Sequence, residues 1–486
     1  MSEETKPNEP EPTPPAAKKG EGRRFGLLEV LLACAAAGSL AVAGFVVLHR
    51  AEYLWSTGGL LVCLVAPVIA GLAFIASLFA SRTVRVQALL SAIGVVVALY
   101  AFEGYAEWQV AEAGAATAAP EGPRNLSRFA KVKELRDQGV DAHPLSSGVT
   151  VYVLQSAKKP EATIELGGKP LLPLGGISKA QIVMCNESAK WVVYESDVHG
   201  FRNPDSAWAL PSLDIAAVGD SFTQGLCVEA ADSLVGVVRA KYPKLLNVAM
   251  GGYGPLLELA TIKEYLPERK PRVVLWFFFE NDFENLLHEL KQPVLARYLA
   301  EPDFRQGLEA LQPEIDKAHR RIVDMAMVEE EQAEKNAASV KPEGMSLGDV
   351  VKLDNLRERI NLTYQRPPLD KELGALRKVM TEAKRVTSSW GGEILFVLLP
   401  DWKTLHAKTP YAPRDGIYRV LDEVGIAHVD AYDTLVKTPD IDTLFPVQRR
   451  AMRLVAPGHY NEAGHKLVGE LVLAWLAEHK VEPSQP

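Results

Sequence analysis

From residue 213 onward the chain alternates short apolar runs with amphipathic segments, and that alternation most restricts its fold. The apolar runs lie at 213–218, 245–248, 272–279, 393–399 and 426–430, and they read as strands. The segments at 232–241, 255–266, 369–389, 414–424 and 462–478 read as helices. Strand, helix, strand in this order predicts a mostly parallel sheet covered by helices on both faces. The expectation is a three-layer α/β/α domain with a five-strand parallel sheet in flavodoxin-like order 2-1-3-4-5. The first strand runs into Val218-Gly219-Asp220-Ser221-Phe222-Thr223-Gln224-Gly225. A Gly-Asp turn after an apolar strand presents the Ser at the C-terminal edge of the sheet, where such folds keep their chemistry.

The N-terminal quarter has a different character. Residues 1–24 are rich in Pro, Glu and Lys and are expected to be a disordered cytoplasmic tail. Apolar runs at 25–48, 58–78 and 86–102 each approach the ~20 residues that span a bilayer, so 25–106 is expected to hold three transmembrane helices. Lys18, Lys19, Arg23 and Arg24 precede the first run, and Arg82 and Arg85 lie between the second and third. By the positive-inside rule the N-terminus is cytoplasmic and everything after the third span is extracytoplasmic, in the periplasm. Residues 107–124 form an Ala/Gly/Pro-rich linker, 125–212 an irregular N-terminal extension with strand-like runs at 149–154 and 191–194, and 213–480 the main domain. A charged, helical stretch at 284–368 is too long for a loop and reads as an inserted subdomain, a solvated helical hairpin by the simpler account and a substrate lid by the other. The formal net charge of -8 supplies no basic surplus for nucleic acid. No Gly-rich phosphate loop or zinc-spaced Cys/His set occurs, so neither a cofactor nor a metal is implied. Cys185 and Cys227 could pair in an oxidising compartment, though two buried thiols fit the sequence equally well.

Three further segments fall after strands or before the last helix. Asn247-Val248-Ala249-Met250-Gly251-Gly252 follows the second strand. Glu280-Asn281-Asp282 follows the third. Pro457-Gly458-His459-Tyr460-Asn461-Glu462-Ala463-Gly464-His465 precedes the final helix. Gly-Asp-Ser, Gly, Asn-Asp and a C-terminal His, in that order, resemble the SGNH/GDSL hydrolase family. The resemblance implies Ser221 as nucleophile, His459 as general base, and an oxyanion hole of Ser221 N–H, Gly252 N–H and the Asn281 side chain. His465 is the alternative base, although a His inside that helix reads first as solvated. The motifs Cys185-Asn186-Glu187 and His199-Gly200-Phe201-Arg202-Asn203-Pro204 are similar to a membrane-anchored bacterial branch of the family, and in that resemblance Cys185 and Cys227 pair beside the nucleophile loop.

Two positions depart from the family. The Asp usually found two or three residues before the His is replaced by Ala456 and Pro457, and Glu280 stands where Gly is common. Asp401, after the fourth strand, is the substitute candidate for orienting the imidazole, against the simpler reading of a turn Asp after Pro. The leading expectation is a serine esterase outside the cytoplasmic membrane, acting on O-acetyl or short-acyl esters of an envelope or exported polysaccharide, alongside polysaccharide machinery. The alternatives are a polysaccharide O-acyltransferase and a non-catalytic glycan-binding or assembly protein.

Overall fold

A computed structural model describes residues 26–48, 60–117, 128–145, 164–166, 169–186, 190–337, 370–408, 410–446, 448–450, 453–455 and 459–484. The strand-like run expected at 149–154 and the insertion beyond residue 337 lie outside them. The chain divides into two compact units, 1–99 and 100–486.

In the first unit, Leu27–Leu48 and Leu60–Leu78 are helices long and apolar enough to cross a membrane, and so is Arg82–Tyr105, which begins there and runs on past residue 99. Arg85 pairs with Glu29, joining the first and third of these helices. Such a pair satisfies two charges that hydrocarbon would not tolerate singly.

In the second unit the five strands form one all-parallel sheet. They are β1 (Ile215–Val218), β2 (Leu245–Asn247), β3 (Val273–Phe279), β4 (Glu393–Leu399) and β5 (Ala427–Asp430). Their spatial order is β2-β1-β3-β4-β5. The observed strands match the apolar runs to within two residues at either end. Period-two alternation splits their side chains between two cores. Ala216, Val218, Val274, Trp276, Phe278, Phe396 and Leu398 pack on one face. Ile215, Ala217, Val273, Leu275, Phe277, Leu395, Val397 and Leu399 pack on the other. Burying such side chains stabilises by about 1.5–3 kcal/mol each.

The helices that frame the site are α1 (Ser221–Gln224), α2 (Leu234–Lys241), α3 (Pro255–Tyr265), α4 (Asp282–Glu289), α5 (Gln312–Ala337), α6 (Asp370–Ser388), α7 (Trp402–Ala407), α8 (Arg414–Val424) and α9 (Glu462–Glu478). Helices α2 and α9 cover one face, and α3, α6 and α8 the other.

The insertion departs from a solvated hairpin. Every residue of α3 is buried, because α4, the helix Pro293–Ala300 and α6 pack over its outer side. Polar residues of α3 are satisfied there. Lys263 Nζ donates to Tyr298 O (2.9 Å) and pairs with Glu382 (2.9 Å). Glu264 accepts from Tyr298 Oη (2.7 Å) and from the Gly307 and Leu308 amides (2.9 and 3.1 Å). Helix α5 then runs along the N-terminal extension. Gln312 Nε2 donates to Gly176 O (3.0 Å), and Asp316 accepts from the Ser178 amide (2.8 Å) and hydroxyl (2.5 Å). Arg320 grips Asp141 (2.6 and 2.8 Å) and holds that carboxyl down at about 2. The extension itself has a three-stranded sheet of Ala142–Pro144, Gln181–Cys185 and Val192–Glu195, with Gln181–Cys185 in the middle. The last of these strands falls on the strand-like run at 191–194.

Candidate active site

Strand β1 ends at Val218, and the chain turns through Gly219 into α1. Gly219 has φ +153°, and a Cβ there would lie 2.1 Å from Thr223 Oγ1 and 2.9 Å from Phe277 O, so the position takes no side chain. Asp220 is the N-cap of α1. Its Oδ1 accepts the Phe222 amide (2.9 Å), and its Oδ2 lies 3.4 Å from Ser221 Oγ. Burial pushes the Asp220 carboxyl up to about 6, opposed first by the Phe222 amide and then by nearby His459. Ser221 is half-buried at the helix mouth.

His459 Nε2 lies 2.9 Å from Ser221 Oγ, although 238 positions separate them. Its neighbours fix it from the C-terminal side. Tyr460 is buried and donates through its hydroxyl to Pro400 O (2.6 Å). Asn461 caps α9, accepting from the Ala463 and Gly464 amides (3.0 and 3.2 Å). Phe222 stacks on half-buried Phe279 (ring centroids 4.1 Å) and tilts against the His459 ring (5.0 Å). Trp276, Phe277 and Phe278 are core. Positions 456–458 lie outside the described residues.

The sheet order brings the other motif turns alongside. With β1 between β2 and β3, the turns after all three strands share one edge. The β2 turn is fastened to the nucleophile turn by Met250 N to Gly219 O (3.2 Å) and Gly251 N to Gln224 Oε1 (3.0 Å). Gly252 is next, half-buried, with φ +78°. Asn281 is the exposed N-cap residue of α4, and its side chain makes no cap bond. Asp282 behind it accepts the Phe279 amide (2.8 Å).

Asp401 is the N-cap of α7, and its Oδ1 accepts the Thr404 amide (2.6 Å). Glu280, the unusual residue before Asn281, bridges to the same helix start. Its oxygens accept the Asp401 amide (3.1 Å) and the Thr404 hydroxyl (3.0 Å). His465 is not solvated. It is fully buried, its Nδ1 accepts the Leu234 amide (3.2 Å), and burial drives it down to about 3, which keeps it neutral in the core. It is His459, and not His465, that lies at hydrogen-bond distance from Ser221 Oγ.

Sequence reasoning did not anticipate the Arg202 and Asn203 supports supplied by the extension. Buried Arg202 donates to Gly225 O (2.7 Å) and Val228 O (2.8 Å), clamping the end of α1. Asn203 exchanges bonds with the Asn247 amide and carbonyl (2.8 and 2.7 Å), and Asn247 Nδ2 donates to Thr223 O (2.9 Å). Cys185 and Cys227 are joined by a disulfide with Cα atoms 5.4 Å apart. Motif likeness marked Arg202 and Asn203 without saying what they touch, whereas the Cys185–Cys227 pair is the one the resemblance implied. Among the described residues, no group of three or more His, Cys, Asp or Glu could hold a metal.

No family model and no curated protein sequence matches the chain. It is similar to a solved two-domain esterase active on acetylated mannans, at 14% identity over 58% of this chain and TM-score 0.30. That match spans about half (54%) of the esterase's length. It is also similar to the lipase/acylhydrolase from Enterococcus faecalis, at 13% identity, 56% of this chain, 100% of that one and TM-score 0.30. An acetylxylan esterase from Geobacillus stearothermophilus, solved as a catalytic mutant, shows 16% identity, 57% and 99% coverage, and TM-score 0.29. These scores are low, and the fold assignment stands on the sheet order and register.

Proposed function

We propose that the chain is a serine esterase of the SGNH/GDSL kind, with Ser221 as nucleophile and His459 as base. The carrying observation is the 2.9 Å approach of His459 Nε2 to Ser221 Oγ at the C-terminal edge of the parallel sheet. Ser221 Oγ attacks the ester carbonyl carbon while its proton passes to Nε2. The negative charge on the former carbonyl oxygen falls to Ser221 N–H, Gly252 N–H and the Asn281 amide. Collapse expels the alcohol, which takes the proton back from His459. Water then attacks the acyl-enzyme, giving its proton to His459, and the acid leaves as Ser221 is restored. Asp401 has Oδ1 bonded in the α7 cap, and this reading does not require it as the acid that orients the imidazole.

The substrate class proposed is an acetyl or other short-acyl ester on a glycan outside the cytoplasmic membrane. The supports for that compartment are the three apolar helices, the basic residues before and between them, and the Cys185–Cys227 disulfide, which suits an oxidising environment.

A fluorophosphonate probe on the full chain in detergent tests the enzyme reading. Labelling that Ser221→Ala abolishes is expected, together with acetate release from an acetylated glycan. Labelling with acetyl transfer to a glycan, and no free acetate, would mark an acyltransferase. No labelling of folded protein would leave a binding or assembly role. Activity of a cytoplasm-only reporter fused after residue 486 would overturn the topology.

A further inference from the structure

Four carboxyl groups lie buried behind the candidate nucleophile: Asp220, Glu258, Asp282 and Glu289, each at 3% exposure or less. Three of them hold backbone amides. Asp220 caps α1 through Phe222 N, and Asp282 holds the turn before α4 through Phe279 N. Glu289 caps α3, accepting from Gly254 N (2.6 Å) and Leu256 N (2.9 Å). Glu258 differs. It sits one turn into α3, and neither of its oxygens has a hydrogen-bond partner. Nor has Asp282 Oδ1 or the Trp276 indole N–H, which stands beside Glu258. Amide N–H donors stabilise the anionic form of the other three, whereas a Glu258 carboxylate would have only the neighbouring Trp276 indole N–H to favour it.

We propose that Glu258 is a positioning residue kept as a neutral carboxylic acid, and that its ionisation at alkaline pH loosens the two turns that carry Ser221 and Asn281. The groups facing it are Asp220 from the nucleophile turn, Asp282 and Glu289 from α4, and the Trp276 indole from β3. Charges elsewhere on the surrounding elements are engaged away from it: Glu382 of α6 with Lys263, and Glu309 with Arg269. Burial, then Asp220 and Glu289, push Glu258 well above the carboxylate range. Asp282 is also pushed up, by burial, Glu258 and Asp220, but its Phe279 amide favours it as the anion. Ionised Glu258 would add a further negative charge against Asp220 and Asp282, whose caps shape the two turns.

This inference rests on the serine-esterase reading for its kinetic arm alone. Glu258→Gln keeps the size and removes the proton. A group whose folded pKa is raised stabilises fully below its unfolded value, near 4.5, and loses that contribution as pH rises through the folded value. With the full chain in detergent, the wild-type Tm should therefore fall relative to Glu258→Gln between pH 5 and 9.5, by roughly 2–4 °C or more. The alkaline limb of the fluorophosphonate labelling rate should move up by about one pH unit in Glu258→Gln, since a one-unit shift marks a tenfold change in the proton equilibrium. Parallel Tm curves across that range overturn the proposal, as does a labelling loss equal at every pH. Should Glu258→Gln fail to fold, Glu258→Leu serves the same comparison, and failure of both neutral variants to fold overturns it too. A wild type that never labels sinks the nucleophile reading, while the Tm comparison still tests the proton.

Discussion

Ser221 and His459 meet across 2.9 Å, yet the turns that carry them are built differently. The nucleophile turn is tied from several directions. Asp220 caps it, Gln224 joins it to the β2 turn, Asn247 and Arg202 hold the carbonyls of α1, and a disulfide follows at Cys227. Three of those partners lie outside the motif, two of them in the extension. The ties described for the base are local to the residues after it: the Tyr460 hydroxyl on Pro400 O and the Asn461 cap of α9. A serine must be aimed at a carbonyl, whereas an imidazole must reach its proton in more than one step. Among the described residues, the ties of the nucleophile turn reach into the extension, while those beside the base reach Pro400 and the start of α9.

The contrast can be broken at either end. The largest effect is expected for His459→Gln, which keeps a polar side chain but removes the base. Steady-state kcat should drop by about 10³-fold or more, with Tm nearly unchanged. Next is Asn281→Ala. Because Asn281 is exposed, folding should be untouched while kcat falls by about 10²–10³-fold, and an unchanged kcat would remove it from the oxyanion hole. Arg202→Gln sharpens the comparison from the nucleophile side. Losing a buried cation that holds two carbonyls should lower stability by about 2–3 kcal/mol in urea melts and reduce the labelling rate with it. Tyr460→Phe removes one hydrogen bond on the base side, so a stability loss of about 1 kcal/mol is expected, with kcat reduced less than tenfold. Asp401→Asn keeps an oxygen for the α7 cap. It should cost under about tenfold in kcat, whereas a loss near 10⁴ would identify Asp401 as the orienting acid.

The parts of the fold that repeat were readable from sequence. Uninterrupted apolar strands such as Val273–Phe279 have to be buried on both faces, and α8 and α9 fall where their amphipathic patterns end. What escaped were contacts without a period. The region 255–266 read simply as one of the covering helices, and nothing in it said that all of α3 is buried because the insertion supplies partners for Lys263 and Glu264. His465 read as solvated for a similar reason. Its environment comes from α2, more than two hundred positions earlier. Glu280 looked like a motif defect, and it is instead the bolt between the β3 turn and α7.

The extension also bears on how the chain can be divided. A protein begun at Leu213 would keep every strand of the sheet, together with Ser221 and His459. It would forfeit Arg202 and Asn203, leave Cys227 without its mate, and strip α5 of the surface it runs along. The 128–212 region is therefore a fitted collar for the catalytic half, and a soluble fragment worth assaying has to begin on its membrane side, ahead of Arg128.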